Sequence, residues 1–176
     1  MTERLRPPSI DAVRPDVAEL MSLAVDPDGK PLGTIAVLAH TPDLVAPFLS
    51  WSAALALNGT MPKRDHELVA LRVAHRCRSE FEFVEHRGYA LDAGITTDEI
   101  ARIRSDSLDA WAAHEGMLLS AVDQLVADFE VDDETWVALA EHYSAAQLVE
   151  LTYVAGQYTM LSMVANALGV PARSEG

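Results

Sequence analysis

A carboxylate and an imidazole four residues apart share one face of a helix, and Ser79-x-x-Glu82-x-x-x-His86 supplies such a pair. Side by side, the two groups form an acid–base couple. Glu67 lies on what reads as the preceding helix. If the two helices pack as a hairpin or an offset pair, Glu67 reaches His86. A Glu–His–Glu cluster would hold one imidazole in a defined tautomer, raise its pKa and share the proton work between two carboxylates. Ser79, at a helix start, adds unpaired backbone N–H groups suited to an anionic oxygen. The plainer reading of Glu82 and His86 is a solvated surface pair worth a few tenths of a kcal/mol.

Other residues surround this candidate. His75, four before Ser79, either lines the same cleft or caps a helix C-terminus as a cation. Cys77 is the only cysteine, which excludes an intrachain disulfide and any CxxC motif. It is either a small buried hydrophobe or a nucleophile. His40, His66, His114 and His142 have no partners at ligand spacing, and HExxH is absent, so no metal site is expected. Gln157 and Tyr158 interrupt an apolar stretch near the C-terminus. Buried, they need hydrogen-bond partners, either within the core or on the wall opposite His86.

The elements that must position these groups read as helices. Residues 1–10 read as an extended arm, disordered or laid on a partner subunit. Asp11 to Leu23 patterns as one short helix, and Asp26-Pro27-Asp28-Gly29 as a turn. An apolar run from Leu32 to His40 leads to a helix start at Thr41-Pro42-Asp43, and Leu44 to Leu57 continues it. Met61-Pro62 opens the Glu67 helix. Ser79-Glu80-Phe81-Glu82 is a capping box, so a break near Arg76–Arg78 splits the central stretch into two helices. Phe81, Val84, Gly88 and Leu91 form the expected apolar stripe of the second, which Gly94 ends. Thr96 to Glu99 and Ser144 to Gln147 are further capping boxes. Trp111 to Phe129 is helical, a helix restarts near Val131–Glu134, and Ala145 to Leu168 is almost wholly apolar. Such a helix is buried on most sides, in a bundle centre or at a subunit contact. Alternating strand patterns are missing, so the fold class is all-α. Glu67-Leu68-Val69-x-Leu71 echoes Gln147-Leu148-Val149-x-Leu151, a weak hint of two related halves.

Composition sets the class. The 176 residues suffice for one domain with a full core. A net charge of −14 leaves no basic surplus for phosphates, which argues against nucleic-acid partners and anionic membranes. The N-terminus carries no signal-peptide pattern and no apolar run is long enough to span a bilayer, so a cytoplasmic location is expected.

The run PKRDHELVALRVAHRCRSEFEFVEHRGYALDAGITTDEI resembles the carboxymuconolactone decarboxylase-like superfamily, which includes alkyl hydroperoxidase D. The later run WVALAEHYSAAQLVELTYVAGQYTMLSMVANALGVP resembles the C-terminal half of longer members. The resemblance covers about residues 32–171, with residues 1–31 as an arm and short helix and 172–176 as a tail. It implies a multi-helical bundle of the alkyl hydroperoxidase D-like type that assembles as a homo-oligomer (dimer, trimer or hexamer). In the redox branch the motif is Glu, then CxxC, then His. Here Glu67 stands on the Glu, Ser79 and Glu82 on the two cysteines, and His86 on the His, so that branch's dithiol cycle cannot run. The chain resembles more closely the decarboxylase branch, which has no CxxC and needs no cofactor. That implies acid–base chemistry on a small carboxylated or lactone substrate, with His86, Glu82 and Glu67 as catalytic residues and Ser79, His75, Tyr158 and Gln157 as substrate-binding residues. Two other readings stand beside it. One is a peroxidase using Cys77 with an external or intersubunit thiol. The other is a non-catalytic oligomeric binding module.

Overall fold

The structure is a computed structural model describing residues 2–23, 25, 29, 31 and 33–173. Among these residues there are nine α-helices, one short 3-10 helix and no β-strand; Val25 and Pro31 form an isolated bridge. The all-α expectation holds. No helix among the described residues is long and apolar enough to cross a membrane. The expected turn at Asp26–Gly29 falls largely outside the described residues; its last member, Gly29, has φ +76°.

The chain divides into two compact units. The first comprises Met1–Asn58 and Val164–Pro171, the second Gly59–Met163 and Ala172–Gly176. In the first unit, the helix expected over Asp11–Leu23 is split into a 3-10 turn, Ile10–Ala12, and α1, Pro15–Met21. Pro15 is the cause. It has no N–H to extend a helix behind it, and it holds Arg14 extended at φ −60°, ψ 146°. Helices α2 (Gly33–Leu38) and α3 (Pro42–Asn58) complete the unit. Its core is Val17, Met21, Ile35, Ala36, Ala39 and Val45, with Leu20, Phe48 and Leu49 packed against it.

The N-terminal arm is hydrogen-bonded to its own chain. The N–H groups of Arg4 and Leu5 donate to Leu168 O at 2.9 and 3.2 Å, satisfying a carbonyl at the end of the last helix. Gly169 follows at φ +69°, and a Cβ there would stand 2.1 Å from Thr2 O. Only glycine fits so close an approach in that conformation.

In the second unit, α4 (Lys63–Arg76) packs against α5 (Glu80–Asp92) and α7 (Ala113–Asp128). Helices α6 (Thr97–Arg102) and α8 (Asp133–His142) flank them, and α9 (Ala145–Leu168) contributes its residues as far as Met163. Two arginines of α4 tie these helices together. Arg64 reaches Glu99 of α6, Glu115 of α7 and Gly94 O. Arg72 is fully buried; it grips Asp123 of α7 with two bonds, 2.7 and 2.6 Å, and donates to Ile103 O and Ser105 O. Every polar atom of a buried guanidinium needs such a partner.

The caps are mostly as the sequence patterns predict. Thr96 and Glu99 form a reciprocal capping box, and Ser144 and Gln147 exchange the same pair of bonds. Ser79 is different. Its Oγ accepts the Glu82 N–H at 3.4 Å, but its own N–H already donates to Ala74 O at 2.8 Å. No orphan donor is left for the Glu82 carboxylate, so the box is half formed and that carboxylate turns elsewhere.

One apolar face departs from expectation. Helix α5 buries Phe81, Glu82, Phe83 and Ala90, whereas Gly88 and Leu91 of the predicted stripe are exposed. Helix α9 buries Leu148, Leu151, Val154, Ala155 and Tyr158 but exposes Val149, Tyr153, Met160 and Met163. It is not buried on all sides within one chain.

Candidate active site

The site is built at the junction of α4 and α5. Helix α4 ends at Arg76, Cys77 caps it, and Arg78 takes a left-handed conformation at φ 55°. That reversal folds the next helix back, with Ser79 as its N-cap. Glu67, near the start of α4, then comes beside His86, midway along α5. The Nδ1 of His86 stands 2.8 Å from Glu67 Oε2. A carboxylate accepts, so Nδ1 carries the hydrogen and Nε2 faces the other way. There it meets Glu82 Oε2 at 4.0 Å. That gap is too long for a direct hydrogen bond. The side chains of His86, Glu67 and Glu82 are 12%, 14% and 4% exposed.

Electrostatics sharpen the picture. Burial pulls the His86 pKa down, but the Glu67 hydrogen bond and the charges of Glu67, Glu82 and Glu85 outweigh it, so the ring titrates above its usual value. Burial pushes the Glu82 carboxyl up to about 7; the His86 charge opposes this and Glu85 adds to it. The Oε1 of Glu82 has no hydrogen-bond partner. A buried carboxyl poised near neutrality, beside an oriented imidazole, is equipped to give and take protons at physiological pH.

Tyr158 closes another side. Its ring meets His86 edge to face, with centroids 4.4 Å apart. Burial holds its hydroxyl pKa well above the usual value, so the phenol stays protonated. Tyr158 Oη and His66 Nε2 are 3.0 Å apart. His66 is therefore a site residue that sequence spacing missed. Its partner lies 92 positions away, and no local pattern marks it. Burial lowers its pKa, so it is a neutral ring at pH 7.

The remaining expectations fare differently. Ser79 is buried, and its hydroxyl and N–H are engaged in capping. His75 is not a cationic cap: burial lowers its pKa first, and Arg72, Arg104 and Arg76 lower it further. Gln157 is buried beside Tyr158 in sequence, and its Oε1 lacks a partner. The Cys77 thiol is pushed up by burial, only partly offset by the neighbouring hydroxyls of Thr159 and Ser162. That is the opposite of an activated thiol. Among the described residues, no group of three or more His, Cys, Asp or Glu is arranged to hold a metal ion.

A second polar group lies on the other side of α4's first turn. Tyr143 Oη donates to Asp65 Oδ2 at 2.9 Å, and the His114 and His142 rings stack 4.6 Å apart. They border a groove of about 350 Å³ lined also by Ala113, Met117, Ala138, Leu139 and Glu141. Successive residues Asp65, His66 and Glu67 thus serve three different partners.

Residues 42–120 match the model of the carboxymuconolactone decarboxylase family. No curated protein matches the sequence. Solved structures share the fold. One is an alkylhydroperoxidase AhpD core, an uncharacterized peroxidase-related protein from Ralstonia eutropha JMP134, with TM-score 0.85 and 18% identity over 98% of this chain and 93% of that one. An uncharacterized peroxidase-related protein from Silicibacter sp. TM1040 has TM-score 0.84 and 14% identity over 98% and 92%. The debrominase Bmp8 has TM-score 0.78 and 15% identity over 96% and 91%. Residues 42–120 are thus similar to the carboxymuconolactone decarboxylase family, and the chain as a whole shares the all-α fold of the AhpD-like structures.

Proposed function

We propose that this protein is a cofactor-independent acid–base enzyme acting on a small carboxylated or lactone substrate. The observation that carries the reading is the 4.0 Å separation of His86 Nε2 and Glu82 Oε2, with Glu67 holding the far side of the ring. A substrate atom lying off the line between them would be within reach of both proton-bearing groups, Glu82 raised by burial to about 7 and His86 raised by its carboxylate neighbours. In a decarboxylation the C–C bond to the carboxylate breaks, and its electron pair enters the conjugated carbonyl as a dienolate while carbon dioxide leaves. The protonated Glu82 donates a hydrogen bond to the developing oxyanion. His86 Nε2–H delivers the proton to carbon, and Glu67 stabilises the imidazolium before transfer. Tyr158, kept neutral by burial, supplies a further donor when His66 directs its proton outward.

The peroxidase-related neighbours favour a thiol reading only through Cys77, and that thiol is half-buried, raised in pKa and without a second cysteine in the chain. A Cys77→Ser protein should therefore keep its activity. His86→Gln, with the helical fold intact by circular dichroism, should lose turnover of lactone carboxylic acids by about 10²–10⁴-fold. Unchanged turnover would sink the assignment.

The same reading includes self-association. The uncovered face of α9 carries Val149, Tyr153, Gly156, Met160 and Met163, at spacings of four, three, four and three residues. A repeat averaging 3.5 residues is the seam of paired helices, and a second copy offers the same seam.

A further inference from the structure

We propose that the site takes up a carboxylate substrate together with a proton: the anion binds the form in which Glu82 is a neutral acid and His86 an imidazolium. The inference rests on the acid–base reading of that pair and names the ionic form in which it binds. Geometry sets that form. Glu67, His86 and Glu82 are nearly buried, so water screens them little. Glu67 Oε2 lies 2.8 Å from His86 Nδ1, and Glu82 Oε2 lies 4.0 Å from Nε2. Glu82 Oε1 is buried without a hydrogen-bond partner. An ionised carboxylate with one orphan oxygen, and the other outside hydrogen-bond range of the imidazole, has little to replace its lost water. A proton relieves that cost, and burial accordingly lifts this carboxyl to about 7.

The same arrangement decides what an entering anion meets. The groups facing His86 are Glu67 and His66 from α4, Glu82, Glu85 and Tyr89 from α5, and Tyr158 from α9. His66 is a neutral ring and Tyr158 a neutral phenol. The charges that act on Glu82 are those of His86 and Glu85, and Glu85 is itself bonded to Arg173 at 2.7 Å. His86 is thus the group that supplies positive charge beside Glu82. With Glu82 protonated and His86 charged, the imidazolium balances Glu67 and the three groups together are neutral. With both deprotonated, two carboxylates stand around a neutral ring. An anion entering that second form is repelled at close range. Entering the first, it gains the imidazolium and the acid O–H as partners. The coupling is mutual: an anion that prefers the protonated site raises the proton affinity of the site. An uncharged lactone has no such preference.

The test uses the full-length protein and paraconate, a saturated lactone carboxylate without the conjugation that decarboxylation needs. Its uncharged counterpart is γ-butyrolactone. Binding is followed by NMR in labelled histidine rings. Paraconate stays ionised near neutral pH, so any pH dependence belongs to the protein. Its Kd should rise about tenfold or more from pH 6 to pH 8, whereas any binding of γ-butyrolactone should change less than about twofold. Saturating paraconate should raise the His86 midpoint by about one pH unit or more. Glu82→Gln, permanently neutral, should bind paraconate more tightly than the wild type at pH 8, with a shallower pH dependence. A wild-type Kd that is flat or falls from pH 6 to pH 8 overturns the inference. So does an absence of binding at pH 6, or a steep profile that Glu82→Gln leaves unchanged. Should His86→Gln prove fully active while the wild type shows this coupling, proton-linked binding stands and the catalytic reading falls. Should the coupling be absent while His86→Gln abolishes turnover, the catalytic reading stands and this inference falls.

Discussion

At the residue scale, Glu82 decides most. In the unfolded chain its carboxyl titrates near its ordinary 4.5; in the fold burial moves it to about 7. The folded state therefore keeps a proton that the unfolded state releases between those values. Wherever the folded state binds more protons, stability falls as pH rises. His86 has the same sign. Its raised pKa contributes stability that is complete below the unfolded value and lost as pH climbs through the folded one. Asp65, raised by burial, adds to the trend. Glu99, held down to about 2 by Arg64, acts only in acid, where its contribution is lost as pH falls. The protein should resist urea better at pH 5.5 than at pH 8, by up to a few kcal/mol. Glu82→Gln should flatten that slope and gain stability at pH 8. Equal urea midpoints at the two pH values would refute the buried, proton-holding Glu82. The same substitution should lower kcat by about 10²-fold or more, because it removes the near-neutral acid.

At the element scale, the α4–α5 junction and the α4 clamp make separate predictions. Arg78 occupies a left-handed conformation that costs a residue with a Cβ about 1 kcal/mol. Arg78→Gly should recover roughly 0.5–1 kcal/mol, read from the denaturation midpoint at constant m. Arg72→Met should do the reverse. It strips two carbonyls of their donor and leaves Asp123 only the Arg76 contact at 3.5 Å, at a cost of about 3–5 kcal/mol. A loss under 1 kcal/mol would mean that the clamp is replaceable. Much of this architecture was legible beforehand. The break before Ser79, the Thr96 and Ser144 boxes and the Gly94 stop are local patterns whose hydrogen bonds close within a few residues. The face of α5 was not. Periodicity reads an apolar stripe through Leu91, yet the helix buries Glu82 together with Phe81, Phe83 and Ala90 and turns Leu91 to solvent. The 3-10 break at Pro15 is local too, but the apolar periodicity of Asp11–Leu23 runs across it and masks it. His66, Arg72 and Arg173 depend on partners 92, 51 and 88 residues distant, which no window of sequence displays.

At the scale of the whole molecule, charge and the uncovered face of α9 act against each other. Two copies at −14 each repel, so close association requires a face without ions. The face of α9 carrying Val149, Tyr153, Gly156, Met160 and Met163 is such a face. The one ionisable carboxylate in the helix, Glu150, is turned to the N–H groups of Thr60 and Met61. Tyr153 is 54% and Met163 60% exposed, an apolar load that a helix end to end in water would not favour. Gly156, with nothing within 4 Å of a Cβ built on it, leaves room for a neighbouring backbone. These facts give the expected assembly a sign with salt. An interface held by ion pairs weakens as salt is added. An apolar one between like-charged copies strengthens, because only the repulsion is screened. Sedimentation of the full chain should therefore show association that tightens from about 20 to 300 mM salt, where the screening length falls from roughly 20 to 6 Å. Met160→Glu should shift the protein toward monomer while leaving its helicity and the His86 titration intact. Association that weakens with salt, or survives Met160→Glu unchanged, would place the contact on another face.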